Sequence, residues 1–117
     1  MGTRTVQWAL NELKQLNMVV IASIIESDGS VPAKVGAKMA ISSTGRIHGT
    51  VGGAGLELKI EEKLHRMLNG ESGGIEKYVL STLSEDVNTT NLNSLCGGRV
   101  TVAFERMEPV PHILLMG

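Results

Sequence analysis

The chain has 117 residues, which is enough for one modest domain with its own core. No apolar run approaches the roughly 20 residues that span a bilayer, and a net charge of −1 with three aromatic residues argues against nucleic acid binding. The single cysteine excludes an internal disulfide and cysteine-based zinc sites. We therefore expect a soluble, cytoplasmic protein that binds neither a membrane nor a nucleic acid.

The first half of the chain predicts a helix, a central strand and a hairpin. Apolar residues recur at three- and four-residue steps between Thr3 and Leu16, which indicates a helix with Thr3 as its cap. The β-branched run from Met18 to Ile25 is typical of a buried central strand, and turn-forming residues at 28–32 then break it. Two short strands at 38–42 and 46–51 flank Gly45, where a hairpin needs a positive φ. The predicted helix stripe consists of Val6, Ala9, Leu10, Leu13 and Leu16.

The second half predicts another helix and three strands. An amphipathic stripe runs along Leu56, Ile60, Leu64, Met67 and Leu68, and Asn69-Gly70 marks the end of this helix. Strands are predicted at 75–83, 99–105 and 111–116, with a polar loop at 84–94. The sequence therefore predicts a single α+β domain with a mixed β-sheet and two main helices.

Two glycine-dense segments form the candidate site. The first spans residues 49–57 and leads directly into the second helix, so its N–H groups and the helix dipole favour a negative ligand. It is neither a Walker A motif nor a dinucleotide fingerprint. A tight strand-to-helix turn without a ligand is the competing interpretation. In this segment Gly52, Gly53, Gly55 and Glu57 are the predicted binding residues.

The second segment, residues 95–99, contains Cys96. Neighbouring N–H groups and Arg99 favour a thiolate there, which can ligate a soft metal, accept sulfur or act as a nucleophile; a buried, inert thiol is the alternative. Lys34 and Lys38 follow the first strand and can neutralise a phosphate, unless they are ordinary surface lysines. The three histidines lack the spacing of metal ligands, so no metal site is predicted.

The order of these motifs resembles that of the XdhC/CoxI family, the accessory proteins of molybdenum hydroxylases such as xanthine dehydrogenase. The resemblance extends almost from end to end of the chain. Two positions depart from the family: Ala33 stands where many members have arginine, and Ala54 where some have cysteine or glycine. The matching segments are Gly29-Ser30-Val31-Pro32, Gly36-Ala37-Lys38-Met39, Gly49-Thr50-Val51-Gly52-Gly53 with Leu56-Glu57, and Cys96-Gly97-Gly98-Arg99-Val100 with Phe104-Glu105.

The resemblance implies a chaperone that binds molybdenum cofactor transiently, helps it acquire its sulfido ligand and inserts it into a hydroxylase. It assigns residues 1–117 to the family's N-terminal domain, without the Rossmann-like C-terminal domain that usually follows. The implied partners are the client hydroxylase and a cysteine desulfurase. We also expect a homodimer, because so small a domain with exposed apolar segments often needs a partner. The implied cofactor-binding residues are Ser30, Lys38, Gly52, Gly53, Gly55, Glu57, Cys96, Gly97 and Gly98.

Two other functions remain open at this point. Cys96 is the candidate catalytic residue of a sulfur- or acyl-transfer enzyme. A structural or interaction domain without a ligand is the other alternative, and a placement of the two glycine segments on opposite faces of the fold would select it. Of these, a non-catalytic accessory protein is the interpretation we favour.

Overall fold

The structure is a computed structural model that describes residues 2–29, 33–80 and 98–109. The predicted α+β class and the two main helices are confirmed. The predicted loop at 84–94 and the predicted strand at 111–116 lie outside the described residues. In chain order the elements are α1 (Thr3–Lys14), β1 (Val19–Asp28), β2 (Lys38–Ser42), β3 (Ile47–Gly49), α2 (Ala54–Leu68), β4 (Gly74–Leu80) and β5 (Gly98–Met107).

The strands form one five-stranded sheet in the order β3-β2-β1-β5-β4. We predicted a mixed sheet, but all four pairings between the described strands are antiparallel. The reason lies in the connection through α2. This helix joins β3 to β4, which run in the same direction but lie at opposite edges of the sheet, so they do not pair.

The central strand β1 is buried on both faces, which explains its unbroken apolar sequence. Its Val20, Ala22 and Ile24 face α2, whereas Val19 and Ile21 face α1. The predicted stripe of α2 is confirmed: Leu56, Ile60, Leu64 and Met67 are buried in the core, and Leu68 packs against it. Burying each of these side chains contributes about 1.5–3 kcal/mol to the stability of the domain. Neither of the two described helices is long and apolar enough to cross a membrane.

Helix α1 has the predicted position but turns a different side towards the sheet. Thr5, Ala9 and Glu12 are buried, whereas Val6 and Leu10 of the predicted stripe are exposed. The small Ala9 side chain lets the helix lie close to the sheet, and tertiary partners satisfy the two polar side chains. Thr5 bonds to His48, and Glu12 accepts from Asn17 and lies 3.7 Å from Arg46. We predicted that Thr3 would cap this helix, but Gly2 occupies the N-cap position, without a side-chain hydrogen bond.

A charged cluster fastens the end of α2 to β4 and β5. The Lys63 side chain is only 5% exposed, and its Nζ lies 2.6 Å from Glu71 Oε2 and 2.9 Å from Glu76 Oε2. The same ammonium group lies 5.7 Å from the centre of the Phe104 ring. Arg106 donates to the Met67 carbonyl at 2.6 Å, which satisfies a carbonyl at the end of the helix. The cluster therefore holds α2 against β4 and β5.

Replacing Lys63 with methionine is expected to lower the free energy of unfolding by about 1–2 kcal/mol at neutral pH, because two carboxylates lose a buried partner. The hydrogen bond from Lys63, followed by that from Arg66, lowers the pKa of Glu71 from 4.5, so this stabilisation is present above that pH and lost in acid. The hydrogen bond to Glu71 raises the pKa of Lys63 from 10.5, so the stabilisation is also lost in strong alkali. Urea unfolding at about pH 7 and about pH 3 measures both effects. An unchanged difference between wild type and Lys63→Met at the two pH values would contradict this assignment.

Candidate functional site

The first glycine segment forms a turn between β3 and α2, which we call the glycine turn (residues 49–53). Gly49 and Gly52 have φ values of +89° and +95°, in the region that side chains rarely enter. Glu57, in the first turn of α2, reaches back into the glycine turn. Its Oε1 accepts from the N–H of Val51 at 3.1 Å and of Gly52 at 3.3 Å, and also from the Thr50 hydroxyl.

This arrangement changes the role expected for Gly52 and Glu57. We predicted that the Gly52 N–H would bind an external anion, whereas it donates to Glu57 and to Thr50 Oγ1, the latter at 3.1 Å. The chain thus supplies its own carboxylate at the start of α2, where the helix dipole favours a negative charge. Glu57 holds the glycine turn in shape, and the groups that can attract a ligand lie beside that turn.

A cavity of about 380 Å³ opens next to the glycine turn, and we call it the basic cavity. Arg4 at the start of α1, Lys34 in the segment before β2 and Lys38 at the start of β2 contribute three cationic side chains. No Asp or Glu occurs among its described lining residues. In a chain of net charge −1, this concentration of positive charge is a local feature that favours an anionic ligand. The lining residues are Arg4, Thr5, Lys34, Ala37, Lys38, His48, Gly49, Thr50, Val51 and Gly52.

The cationic groups of the basic cavity are available for a ligand. The ion pairs formed between described residues involve neither Arg4 nor Lys34 nor Lys38. Lys38 is half-buried, and its Nζ donates to Ser23 Oγ on β1 at 3.1 Å, which orients the ammonium group. The described partner of the Lys38 ammonium group is thus a hydroxyl and not a carboxylate that would compete with an anionic ligand.

His48 on β3 forms one wall of the basic cavity and is held by two contacts with α1. Its Nδ1 lies 3.1 Å from Thr5 Oγ1, and its ring stacks on Trp8 with 5.4 Å between ring centres and 19° between planes. Thr5 is 4% exposed, so this hydrogen bond also satisfies a buried hydroxyl. The ring therefore has a fixed position at the edge of the cavity.

The structure brings together only some of the predicted site residues. Lys38 and Gly52 line the basic cavity; Gly53 is the cap of α2 and Gly55 lies in its first turn. Gly98 is buried at the start of β5 and does not line this cavity. Three further predicted residues, Ser30, Cys96 and Gly97, lie outside the described residues.

The register of the sheet measures how far the glycine turn lies from Gly98 and Arg99, the described residues of the second glycine segment. Gly49 pairs with Met39 on β2, and Met39 in turn pairs with Ala22 on β1. Arg99 pairs with Asp28, which lies six residues further along β1. The strand rise of about 3.3 Å per residue puts these levels about 20 Å apart along the sheet. The glycine turn and the start of β5 therefore do not share one cavity, although both lie towards the same end of the sheet.

Arg99 lines a second cavity of about 520 Å³ with mixed charge. Glu26 and Asp28 from β1 and Lys77 from β4 also line it, together with Tyr78. Burial, assisted by the charge of the nearby Glu76, raises the pKa of Tyr78 to about 12, so its hydroxyl stays neutral near pH 7. Two acidic and two basic side chains line this cavity, so their charges balance and give it no net preference for an anion. Nowhere in the described ranges do three His, Cys, Asp or Glu side chains cluster as a metal site would require.

Comparison with known proteins identifies the family. The family model described as the XdhC and CoxI family matches residues 13–79, which is more than half of the chain. The chain belongs to the XdhC and CoxI family. A solved structure titled as a xanthine dehydrogenase from Bacillus halodurans is similar to it with a TM-score of 0.61 and 26% identity, over 83% of this chain and 30% of that chain. The present chain thus spans less than a third of that protein, and no curated protein matches it.

Sequence reasoning missed Arg4, Thr5 and His48 as members of the cavity. Arg4 and Thr5 belong to the first helix and His48 to the hairpin, so only the packing of α1 on β2 and β3 brings them together. A partial signal was available in the position of Thr5, a polar residue next to the apolar stripe. Its partner 43 residues away could not be identified from periodicity.

Proposed function

We propose that this chain is an accessory protein of a molybdenum hydroxylase and that its basic cavity binds the anionic part of the molybdenum cofactor. The observation that carries the proposal is the convergence of Arg4, Lys34 and Lys38 on one cavity without an acidic lining residue among the described ones. Family membership supports the choice of ligand, and the xanthine dehydrogenase title of the similar structure supports the choice of client.

The residues present fit the chemistry of this cofactor, which is a pterin that carries a phosphate and a dithiolene-bound metal oxyanion. Lysine and arginine side chains are the usual protein partners of phosphate oxygens. The cavity volume of about 380 Å³ lies within the usual range for small-molecule sites. When bound, the cofactor is cargo, and it supplies the metal centre that the client hydroxylase uses.

The residues in and beside the basic cavity have two tasks in this proposal, which are to neutralise the anion and to hold the glycine turn in shape. Lys38, oriented by Ser23, and the nearby Lys34 and Arg4 neutralise the anion. Glu57 keeps the glycine turn in the shape that leaves the cavity open beside it. None of these side chains needs to exchange a proton or form a covalent bond, so binding and release suffice for a carrier.

The proposal has three further parts. These are sulfur transfer through Cys96 with a cysteine desulfurase as donor, insertion of the cofactor into the client hydroxylase, and formation of a homodimer. Cys96 is only two residues before Gly98, the first residue of β5. Alkylation of the thiol in the presence and absence of cofactor tests the sulfur-transfer part separately.

The function is tested by anaerobic equilibrium binding of molybdenum cofactor released from a hydroxylase, followed through the fluorescence of its oxidised pterin. We expect saturable binding with a dissociation constant in the micromolar range or below, and recovery of activity when the loaded protein is mixed with apo-hydroxylase. Binding without recovery of activity would contradict the delivery role alone. A protein that leaves the cofactor unbound under these conditions would refute the proposed function as a whole.

A further inference from the structure

The start of α1 packs directly on the side chain of Lys38. Gly2, the N-cap of α1, is buried, and a Cβ built on it would lie 2.7 Å from both Cδ and Cε of Lys38. The same Cβ would lie 2.7 Å from the carbonyl oxygen of Gly36. These distances are well below the roughly 3.5 Å at which non-bonded carbon atoms make favourable contact. The absence of a side chain at position 2 therefore lets the helix begin against the lysine stem.

The backbone conformation of Gly2 does not itself require glycine. Its φ of −99° and ψ of 2° are accessible to residues with side chains. The Val6 N–H donates to the Gly2 carbonyl at 3.0 Å, which holds Gly2 at the end of the helix. The Gly36 N–H donates to the Ile24 carbonyl at 2.9 Å, which holds the opposite wall against β1. Of the atoms that an added methyl group would meet, only those of Lys38 belong to a flexible side chain, so Lys38 would have to move.

A second contact fixes the other end of the same side chain. Lys38 and Ser23 are partners in the pairing of β1 with β2, and Lys38 Nζ donates to Ser23 Oγ at 3.1 Å. Ser23 is the polar residue within the apolar run from Met18 to Ile25. Lys38 lines the basic cavity, whereas Gly2 and Ser23 are not among its described lining residues. Both can therefore act on a ligand through Lys38.

From these contacts we infer that Gly2 and Ser23 are positioning residues of the basic cavity, which together fix the direction of the Lys38 ammonium group. This inference rests on the proposed function, because it concerns the anion site of the same cavity. A lysine has a flexible four-carbon stem and loses side-chain entropy when it is held against an anion. Contacts at the stem and at the ammonium group remove part of that freedom before the ligand arrives, so the ligand binds more tightly.

The test measures sulfate binding by calorimetric titration at about pH 7 and constant ionic strength. Gly2→Ala is expected to lower the sulfate affinity about tenfold, the usual scale for the loss of one charge-assisted hydrogen bond. Ser23→Ala tests the same side chain from its other end and is expected to give a similar loss. In the Lys38→Met background neither change is expected to lower the affinity further, because residues that act through one side chain are not additive.

Thr3→Ala is the matched control for Gly2→Ala. Thr3 is the next residue of the chain, is exposed and lies outside the described lining of the cavity. Its replacement is expected to change the sulfate affinity less than about twofold, within the usual effect of a surface substitution. Urea unfolding of each variant shows that the binding is measured on folded protein.

A second readout follows Lys38 without any ligand. In protein labelled with ¹³C in its lysine side chains, the Cε resonance of Lys38 is expected to lie apart from those of exposed lysines such as Lys59. The loss of this resonance in Lys38→Met assigns it. Gly2→Ala and Ser23→Ala are each expected to move it towards the position of an exposed lysine. A purely structural role of Gly2 at the start of α1 would leave the resonance in place.

The outcomes separate the inference from the proposed function. Unchanged sulfate affinity, or an unchanged Cε resonance, in Gly2→Ala overturns the positioning role and leaves the basic cavity intact. A loss that is equally large in the Lys38→Met background, or that also appears in Thr3→Ala, shows that Gly2 acts by another route and overturns the inference as well. Absence of sulfate binding by the wild-type protein overturns the basic cavity itself, and the inference falls with it.

Discussion

Replacing Lys38 with glutamate is expected to lower the affinity of the basic cavity for molybdenum cofactor by at least about 100-fold. The change removes one charge-assisted hydrogen bond and adds a negative charge at the same place, and each effect costs about 1.5 kcal/mol or more. The half-buried position of Lys38 and its bond to Ser23 make it the best oriented of the three cations. Anaerobic titration with cofactor measures the loss.

The matched control for this variant is Lys59→Glu, which makes the same charge change at an exposed position of α2. Because Lys59 does not line the basic cavity, its replacement is expected to change cofactor affinity less than about threefold, the effect of a screened surface charge. Equal losses in the two variants would show that only net charge matters. In that case the basic cavity would no longer be the binding site.

Replacing Gly49 with alanine is expected to destabilise the fold by about 3 kcal/mol or more. A Cβ at this position would lie 2.3 Å from the Lys38 carbonyl oxygen and 2.7 Å from Thr5 Oγ1, and the φ of +89° disfavours any side chain. Backbone atoms of β2 cannot move away without breaking its pairing with β1. Urea unfolding measures the loss, and any folded fraction is expected to bind anions weakly because both neighbours line the basic cavity.

Gly45→Ala provides the control for this prediction. Gly45 has nearly the same φ, +90°, but a Cβ there meets nothing within 4 Å. Only the backbone strain of about 1–2 kcal/mol is therefore expected. The difference between the two variants isolates the close approach at Gly49. Similar losses of stability in the two variants would contradict the claim that the close packing of α1, β2 and the glycine turn requires glycine at position 49.

The elements of the fold could be predicted because each has a local pattern. The stripe of α2, the β-branched run of β1 and the positive φ at Gly45 are properties of neighbouring residues, and all three are confirmed. Strand order is not a local property, which is why the sequence did not indicate that all the pairings between the described strands are antiparallel. The helix α2 connects opposite edges of the sheet, and no pattern within the helix indicates how far it crosses.

The basic cavity could be predicted only in part. Gly52 was predicted from its glycine-dense segment, and Lys34 and Lys38 were predicted from their position after the first strand; all three line one cavity. The sequence did not indicate that Glu57 binds the glycine turn of its own chain, because an acidic residue in the first turn of a helix is equally consistent with an exposed surface charge. Its position four residues after the cap lets it reach back to Val51 and Gly52, which becomes apparent only from the path of the turn.

The most direct test of the basic cavity is to map where the cofactor binds. Titration of ¹⁵N-labelled protein with molybdenum cofactor under anaerobic conditions is expected to shift the amide resonances of Ala37, Gly49 and Gly52 before any others. Shifts that concentrate at Lys77 and Arg99 would place the cofactor in the mixed-charge cavity and contradict the proposed site.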